Sequence, residues 1–449
     1  MKRRPSKYSK IGKNTPNWRG YQSELQRQAG ARRFWPSGRG RPIFIAVMLA
    51  IAALFGLHAL LRNGLAPDEK TTTQAARSPE SITGPISKED VRQLLDKESF
   101  NNLTEKEVEL TANQQVLHVE TSLDVDLQNY LLDQMDREHS RYIGIVVMEA
   151  DTGRVLAMAG FDKTDESINP CLCSKFPSAS IFKIVTAASA VDNCGYTPES
   201  KFHFNGGKYT LYKRQLEDRV NSYTNTVSFK QAFAESVDPV FGKIGERRLG
   251  GPLLEKYADS FGFNEPLNFD LPLAPSHFKI NDQPYHWAEL ASGFNRDTTI
   301  SPLHGAVMAS AVLNEGRMVA PSIVDRIVDD EGQVLYRWQS EWEQQAMSAK
   351  AAAVLNQLMQ ATVESGTGHK PFRGYRRDKV LSRLQIGGKT GTIDNDAHDA
   401  RYDWFVGFGK ERDGKKSVVV AVMVAHEKYI GIRACQYARM AIRHYFSNP

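Results

Sequence analysis

Apolar and polar positions recur with different periods along this chain, and each change of period marks an expected change of element. The stretch TSLDVDLQNYLLDQM sets Leu123, Leu127, Leu131 and Met135 on one stripe, the pattern of an amphipathic helix. YIGIVVMEADTGRVLAMAG follows, with two β-rich runs on either side of Asp151, Thr152 and Gly153, a hairpin pattern. Near the other end LQIGGKTGT, DWFVGFG and SVVVAVMVAH read as three more strands, the last two joined by KERDGKK, and RACQYARMAIRHYF reads as a helix. Strands from both ends around a helical middle predict an α+β domain. It would hold a five-stranded antiparallel sheet flanked by helices, with an all-helical lobe inserted over about 170–365. A groove between the two lobes is the expected place for a site.

The first 86 residues are patterned differently. PIFIAVMLAIAALFGLHALL, Pro42–Leu61, carries no formal charge. At ~1.5 Å per residue it matches a hydrocarbon layer of ~30 Å, so it predicts one transmembrane helix. A cleaved signal peptide would have a shorter basic region and a small-residue cleavage site, and RNGLAPDEK offers no clean one. A buried core helix is the other alternative. From Arg62 to about Ile86 the chain is rich in Thr, Ser, Pro and charge, which predicts a flexible tether, and SKEDVRQLLDKESF then has helical spacing with a capping start at Ser87.

Charge sharpens this picture. Residues 1–41 hold twelve Lys and Arg against one acid, Glu24, so the remainder carries 45 basic and 51 acidic residues and the net charge of +5 comes from the tail alone. A mildly acidic body argues against a nucleic-acid partner. Positive charge is retained in the cytoplasm, so the body is expected outside the membrane. There Cys171, Cys173, Cys194 and Cys435 could form disulfides, whose pairing the sequence leaves open, or remain buried thiols; the CxC pair has no second Cys or His cluster beside it to make a metal site. His203, His286, His304 and His426 fall in unrelated contexts without metal spacing, and Trp404 and Phe405 read as core or groove wall.

Candidate chemistry begins at FPSASIFKIVTAASAV, Phe176–Val191, where a lysine, Lys183, sits in a segment apolar enough to be buried, three positions after Ser180. That spacing puts hydroxyl and ammonium on one helical face. Burial favours the neutral amine, which can accept a proton from the serine. The tetrapeptide alone proves nothing: SHFK at Ser276 fits the same pattern among helix-breaking prolines. AFAESVDPVFGKIG places Ser236 and Asp238 between two helical runs, with Pro239 suited to the first helical position and Asp238 to its cap. GGKTGT places Lys389 on a strand, and Gly391 leaves room for a ligand backbone at the strand edge.

In this order these residues resemble the penicillin-recognising serine acyltransferases, the penicillin-binding proteins and serine β-lactamases. SIFK is similar to the family's SxxK, KTGT matches its KTG, and SVD stands where SxN or SDN is usual. VETSLDVDLQ, VVMEADTGRVLAMAG, ELASGFNRDTTISPLHGAVMASAVLNEGRMVAP, ESGTG and DWFVGF resemble phrases of the penicillin-binding-protein transpeptidase domains, so the resemblance covers about 115–449. GFNRD lacks the Gly and Gln common in the family's version.

The resemblance implies a membrane-anchored D,D-transpeptidase. Ser180 would be the nucleophile, Lys183 its base, Ser236 a proton relay and Lys389 the positive charge for a substrate carboxylate; Thr390 and Thr392 would contact that carboxylate, and the N–H groups of Ser180 and Thr392 would form the oxyanion hole. Asp238 departs from the pattern, because an ionised Asp accepts hydrogen bonds where Asn also donates, and its charge would raise the pKa of Lys183. A working variant with an altered substrate contact, an Asp kept as a helix cap, and a weakened site are the three alternatives. The implied partners are peptidoglycan stem peptides, β-lactams, the membrane through one helix and other cell-wall synthesis proteins; no cofactor and no metal is implied. The predicted organisation is a basic cytoplasmic tail (1–41), a transmembrane helix (42–61), a tether with a short helical segment (62–114) and a transpeptidase domain (115–449) of monofunctional type. A D,D-carboxypeptidase or β-lactamase of the same fold, and a penicillin sensor or scaffold, are the alternative functions.

Overall fold

A computed structural model describes residues 84–112 and 115–447. The predicted tail and transmembrane helix lie outside the described residues. The central sheet is antiparallel throughout and consists of β1 (Ser140–Glu149), β2 (Val155–Asp162), β3 (Leu384–Asp394), β4 (Arg401–Glu411) and β5 (Ser417–His426), in the spatial order β3-β4-β5-β1-β2. The hairpin around Thr152 and the three late strands thus form as expected, joined through the pairing of β5 with β1. β5 shows why its sequence has no visible alternation. Val418, Val420, Val422 and Val424 enter one core, Val419, Ala421, Met423 and Ala425 the other, so both faces are apolar.

Helices cover the two faces: α1 (Val125–Asp133), α2 (Lys183–Cys194), α3 (Asp238–Ile244), α4 (Pro284–Ser292), α5 (Pro302–Leu313), α6 (Ala349–Glu364) and α7 (Ala434–Tyr445). Leu127 and Leu131 of α1 pack with Tyr437, Ala438, Ala441 and Ile442 of α7 beneath one face. α2 and α5 fill the core on the other, and α6 packs against β3. Local chemistry sets the ends. Asp124 caps α1 by accepting from the Leu127 N–H at 3.0 Å, and α2 stops at Gly195, whose φ of 68° is left-handed.

The inserted region corrects one expectation: it is not all-helical. Lys201–Phe204 pairs with Asn225–Ser228, Arg317–Val319 with Trp342–Gln345, and Val324–Asp329 with Val334–Arg337. These runs are three to six residues long, too short for a period of two to stand out, and their partners rather than their propensities hold them.

Residues 84–112 likewise are not a free tether. The helix Lys88–Leu94 has its capping box, Ser87 with Asp90. Val91, Leu95 and Phe100 are buried in the main core, and Glu107–Ala112 adds to Gln115–Thr121 in a four-stranded sheet with the 324–337 hairpin. Asn102 donates to the Gly160 carbonyl at 2.8 Å and accepts from its N–H at 2.7 Å, occupying the outer edge of β2. The folded body therefore includes residues before 115. The four cysteines are free thiols.

Phe100→Ala tests this extension, since the side chain is 1% exposed. The variant should lose about 3–5 kcal/mol of stability by denaturant unfolding. A tether would leave the midpoint unchanged.

Candidate active site

The serine stretch does not run as one α-helix. Phe176–Pro177 pairs with Thr299–Ile300, Ala179–Phe182 forms a 3₁₀ turn, and α2 begins only at Lys183. In a three-residue turn positions 180 and 183 stack more directly than on an α-helix. Lys183 Nζ donates to Ser180 Oγ at 2.8 Å. Ser180 is half-buried and Lys183 is fully buried. The SHFK segment does nothing similar: Ser276 Oγ bonds His304 Nδ1 at 2.6 Å and Lys279 is exposed.

Two more acceptors complete the surroundings of Lys183, Asp238 Oδ1 at 2.6 Å and the Ser292 carbonyl at 2.6 Å. Phe241 lies over the ammonium at 5.6 Å. Asp238 is the first residue of α3, not its cap. Val237 holds that position and makes no side-chain cap bond. The carboxyl faces Lys183 instead, which removes the reading of Asp238 as mainly a cap.

Lys389, also fully buried, donates to Ser236 Oγ at 2.9 Å and to the Thr390 carbonyl at 2.8 Å, with Phe233 5.5 Å below. β3 is an edge strand, and a Cβ on Gly391 would sit 3.2 Å from Ala179 Cβ and 3.3 Å from the Ser178 carbonyl. The strand thus runs against the turn that carries Ser180, and a bare backbone is required there. Thr390 is half-buried and Thr392 exposed on the same strand. The structure therefore brings Ser180, Lys183, Ser236, Asp238, Lys389, Thr390, Gly391 and Thr392 to one edge of the sheet.

Burial governs the electrostatics. Desolvation pushes Lys183 below the ordinary lysine range, against the pull of Asp238. Desolvation pushes the Asp238 carboxyl above its ordinary range, against the pull of Lys183. Lys389 lies well below the ordinary range because it is buried and because Lys183 is near. All three shifts favour the uncharged forms.

Two residues of the site carry backbone strain. Ala179 and Ser236, neither of them glycine, have φ of 48° and 55°, conformations found mainly where the surroundings impose them. Gly293 closes α4 at φ 68°, and a Cβ there would lie 1.9 Å from the Ala179 carbonyl oxygen.

Residues 143–442 match the family model described as the penicillin binding protein transpeptidase domain. The chain belongs to the penicillin-binding protein transpeptidase family. Stage V sporulation protein D of Bacillus subtilis is 24% identical over 330 residues, 68% of this chain and 49% of that protein. Peptidoglycan D,D-transpeptidase PbpA of Mycolicibacterium smegmatis is 24% identical over 320 residues, 62% of this chain and 61% of that protein. The chain thus spans about half to three-fifths of the length of these curated relatives. The fold is that of PBPA from Mycobacterium tuberculosis, with a TM-score of 0.60 at 21% identity over 74% of this chain and 82% of that one.

Within this transpeptidase domain three contributors escaped motif reading. The Ser292 carbonyl carries no residue signature. Gly293 lies in GFNRD and Thr367 in ESGTG, phrases that marked the resemblance without showing a role. Thr367 Oγ1 lies 2.5 Å from Thr390 Oγ1, and its N–H bonds the Ala234 carbonyl at 3.0 Å, tying the edge strand to the segment before Ser236.

Gly293→Ala should cut the reaction of Ser180 with a fluorescent penicillin about a hundredfold, the scale of a 1 Å misplacement. Stopped-time gel fluorescence measures it, and circular dichroism should show the fold retained.

Proposed function

We propose that this protein is a serine D,D-transpeptidase that cross-links peptidoglycan stem peptides through an acyl-enzyme and is acylated by β-lactams. The observation that carries this reading is the 2.8 Å contact between Ser180 Oγ and a wholly buried Lys183, inside the ordered set that also brings Lys389 to Ser236. The name of the M. smegmatis relative, a peptidoglycan D,D-transpeptidase, supports it.

The geometry supports the following sequence of steps. Ser180 Oγ attacks the carbonyl carbon of the penultimate residue of a D-alanyl-D-alanine stem, and its proton moves to Lys183 Nζ. The oxyanion is held by the N–H groups of Ser180 and Thr392, each such donor being worth about 3 kcal/mol. As the C–N bond breaks, the proton that Lys183 took from Ser180 passes through the Ser236 hydroxyl, which accepts from Lys389, to the departing D-alanine nitrogen. Thr390 and Thr392 contact the terminal carboxylate, which also supplies a counter-charge for buried Lys389. An amine of a second stem then displaces Ser180, forming the cross-link.

Anchoring by Pro42–Leu61, with the basic tail in the cytoplasm and the domain outside, belongs to the same proposal and rests on the charge-free apolar run and its basic flank.

The deciding experiment treats the full-length protein with penicillin and locates the adduct by mass spectrometry. The expected adduct is on Ser180, is absent from Ser180→Ala, and persists for many minutes while stem peptides become cross-linked. Rapid release of hydrolysed penicillin would identify a β-lactamase instead, and no adduct on a folded protein would overturn the acyl-enzyme reading.

A further inference from the structure

We infer that Asp238 acts as the proton holder of Lys183, and that its protonated Oδ2 is the hydrogen-bond donor presented to an amide carbonyl of the substrate other than the one attacked. This deepens the proposed acyl-enzyme reading and rests on it.

The argument is a count of protons and acceptors. Lys183 Nζ has three close partners, Ser180 Oγ, Asp238 Oδ1 and the Ser292 carbonyl. The Ser292 carbonyl can only accept, so one N–H is committed there at 2.6 Å. An ammonium would donate its other two to Asp238 and Ser180, leaving no lone pair for the serine's proton. A neutral amine has one N–H for Ser292, one for Asp238 Oδ1, and a lone pair left on the side where Ser180 lies. The proton given up must reside nearby in a site shut off from water, and Asp238, 2.6 Å away, is the carboxylate in contact. With Oδ1 accepting from Nζ, that proton sits on Oδ2.

Oδ2 has no hydrogen-bond partner among the described residues, and the side chain keeps 9% of its exposure. It therefore remains available to a ligand. The balance is Lys–NH3⁺ with Asp–COO⁻ becoming Lys–NH2 with Asp–COOH. No external acid or base takes part. The product arrangement, Oδ1 accepting from the lysine and Oδ2–H donating outward, reproduces what an Asn amide offers at the same place. Burial of both partners favours this neutral pair.

Among the charged and titratable groups around Asp238, the two lysines pull toward the carboxylate and burial outweighs them. Lys183 faces it from α2 and Lys389 from β3, and Tyr209 and the Lys208–Glu235 ion pair flank it. His286 and Glu289 of α4 pair with each other at 3.7 Å, and His203, on the neighbouring strand, bonds Thr226 at 3.0 Å. Lys389 is thus the second amine near the carboxyl, and it is itself buried and committed to Ser236.

Infrared difference spectroscopy on the full-length protein tests the inference. Subtracting Asp238→Asn from wild type at about pH 7 should leave a protonated-carboxyl C=O band that shifts in D2O; Asp270, a fully buried carboxyl also pushed above its ordinary range, cancels because both proteins contain it. Asp238→Ala should lose the same band, so the assignment does not depend on one variant folding. Penicillin acylation of Asp238→Asn should lack a fall at alkaline pH that wild type shows as the acid is lost. A carboxylate band in place of the acid band, or identical alkaline limbs, would overturn the inference. Absence of acylation in every protein would instead defeat the acyl-enzyme reading, while the infrared band would still locate the proton.

Discussion

The arrangement depends on the burial of one amine. Moving an ion out of water costs several kcal/mol even after the protein relaxes, so Lys183 can be fully enclosed only if its hydrogen-bonding valences are met or its charge is given up. Its partners come from three separate segments: Ser180 one turn before it, Asp238 at the start of α3, and Ser292 at the end of α4. None of the three is near another in sequence. The lysine therefore makes the serine turn, α3 and α4 energetically interdependent, and a shift of either helix is felt at the serine.

The edge strand provides the other half. β3 is paired on one side only, so its free side can receive an extended peptide by adding a strand, a mode in which backbone hydrogen bonds give affinity and side chains at alternate positions give selectivity. Gly391 keeps that side close to the Ser178–Ala179 backbone, and Thr367 fixes Thr390 from the end of α6. An exposed strand edge is usually a liability for aggregation. Here α6 and the 176–183 turn flank it, so access is confined to a cleft.

Much of this was readable from the residues. The hairpin at Thr152, the three late strands and α7 followed from periodicity, and the three motifs marked the residues that meet at the cleft. What escaped has physical reasons. Short strands such as Lys201–Phe204 exist because of a distant partner, and no local period announces them. The docking of Val91, Leu95 and Phe100 depends on a pocket assembled from later segments, so a polar, proline-containing lead-in reads as a tether with one short helix. The role of Asp238 turned on a direction. A sequence gives the residue's suitability as a helix cap, whereas only coordinates show that Val237 holds the cap and the carboxyl points to the lysine.

The strained backbone at the cleft completes the argument. Left-handed φ at a residue with a side chain costs on the order of 1 kcal/mol, and both Ala179 and Ser236 adopt it. Against a total stability of about 5–15 kcal/mol this is not negligible. Both residues adjoin groups that the chemistry needs, Ser180 and the hydroxyl held by Lys389. A relaxed turn at 179 would move Ser180 off the stacking line with Lys183, because the 3₁₀ turn begins at that residue. Gly293 packs its bare backbone against the same peptide, so the strained turn is clamped between the end of α4 and β3. The cost is met by the dense core on which those elements stand, and the serine is positioned before any substrate arrives.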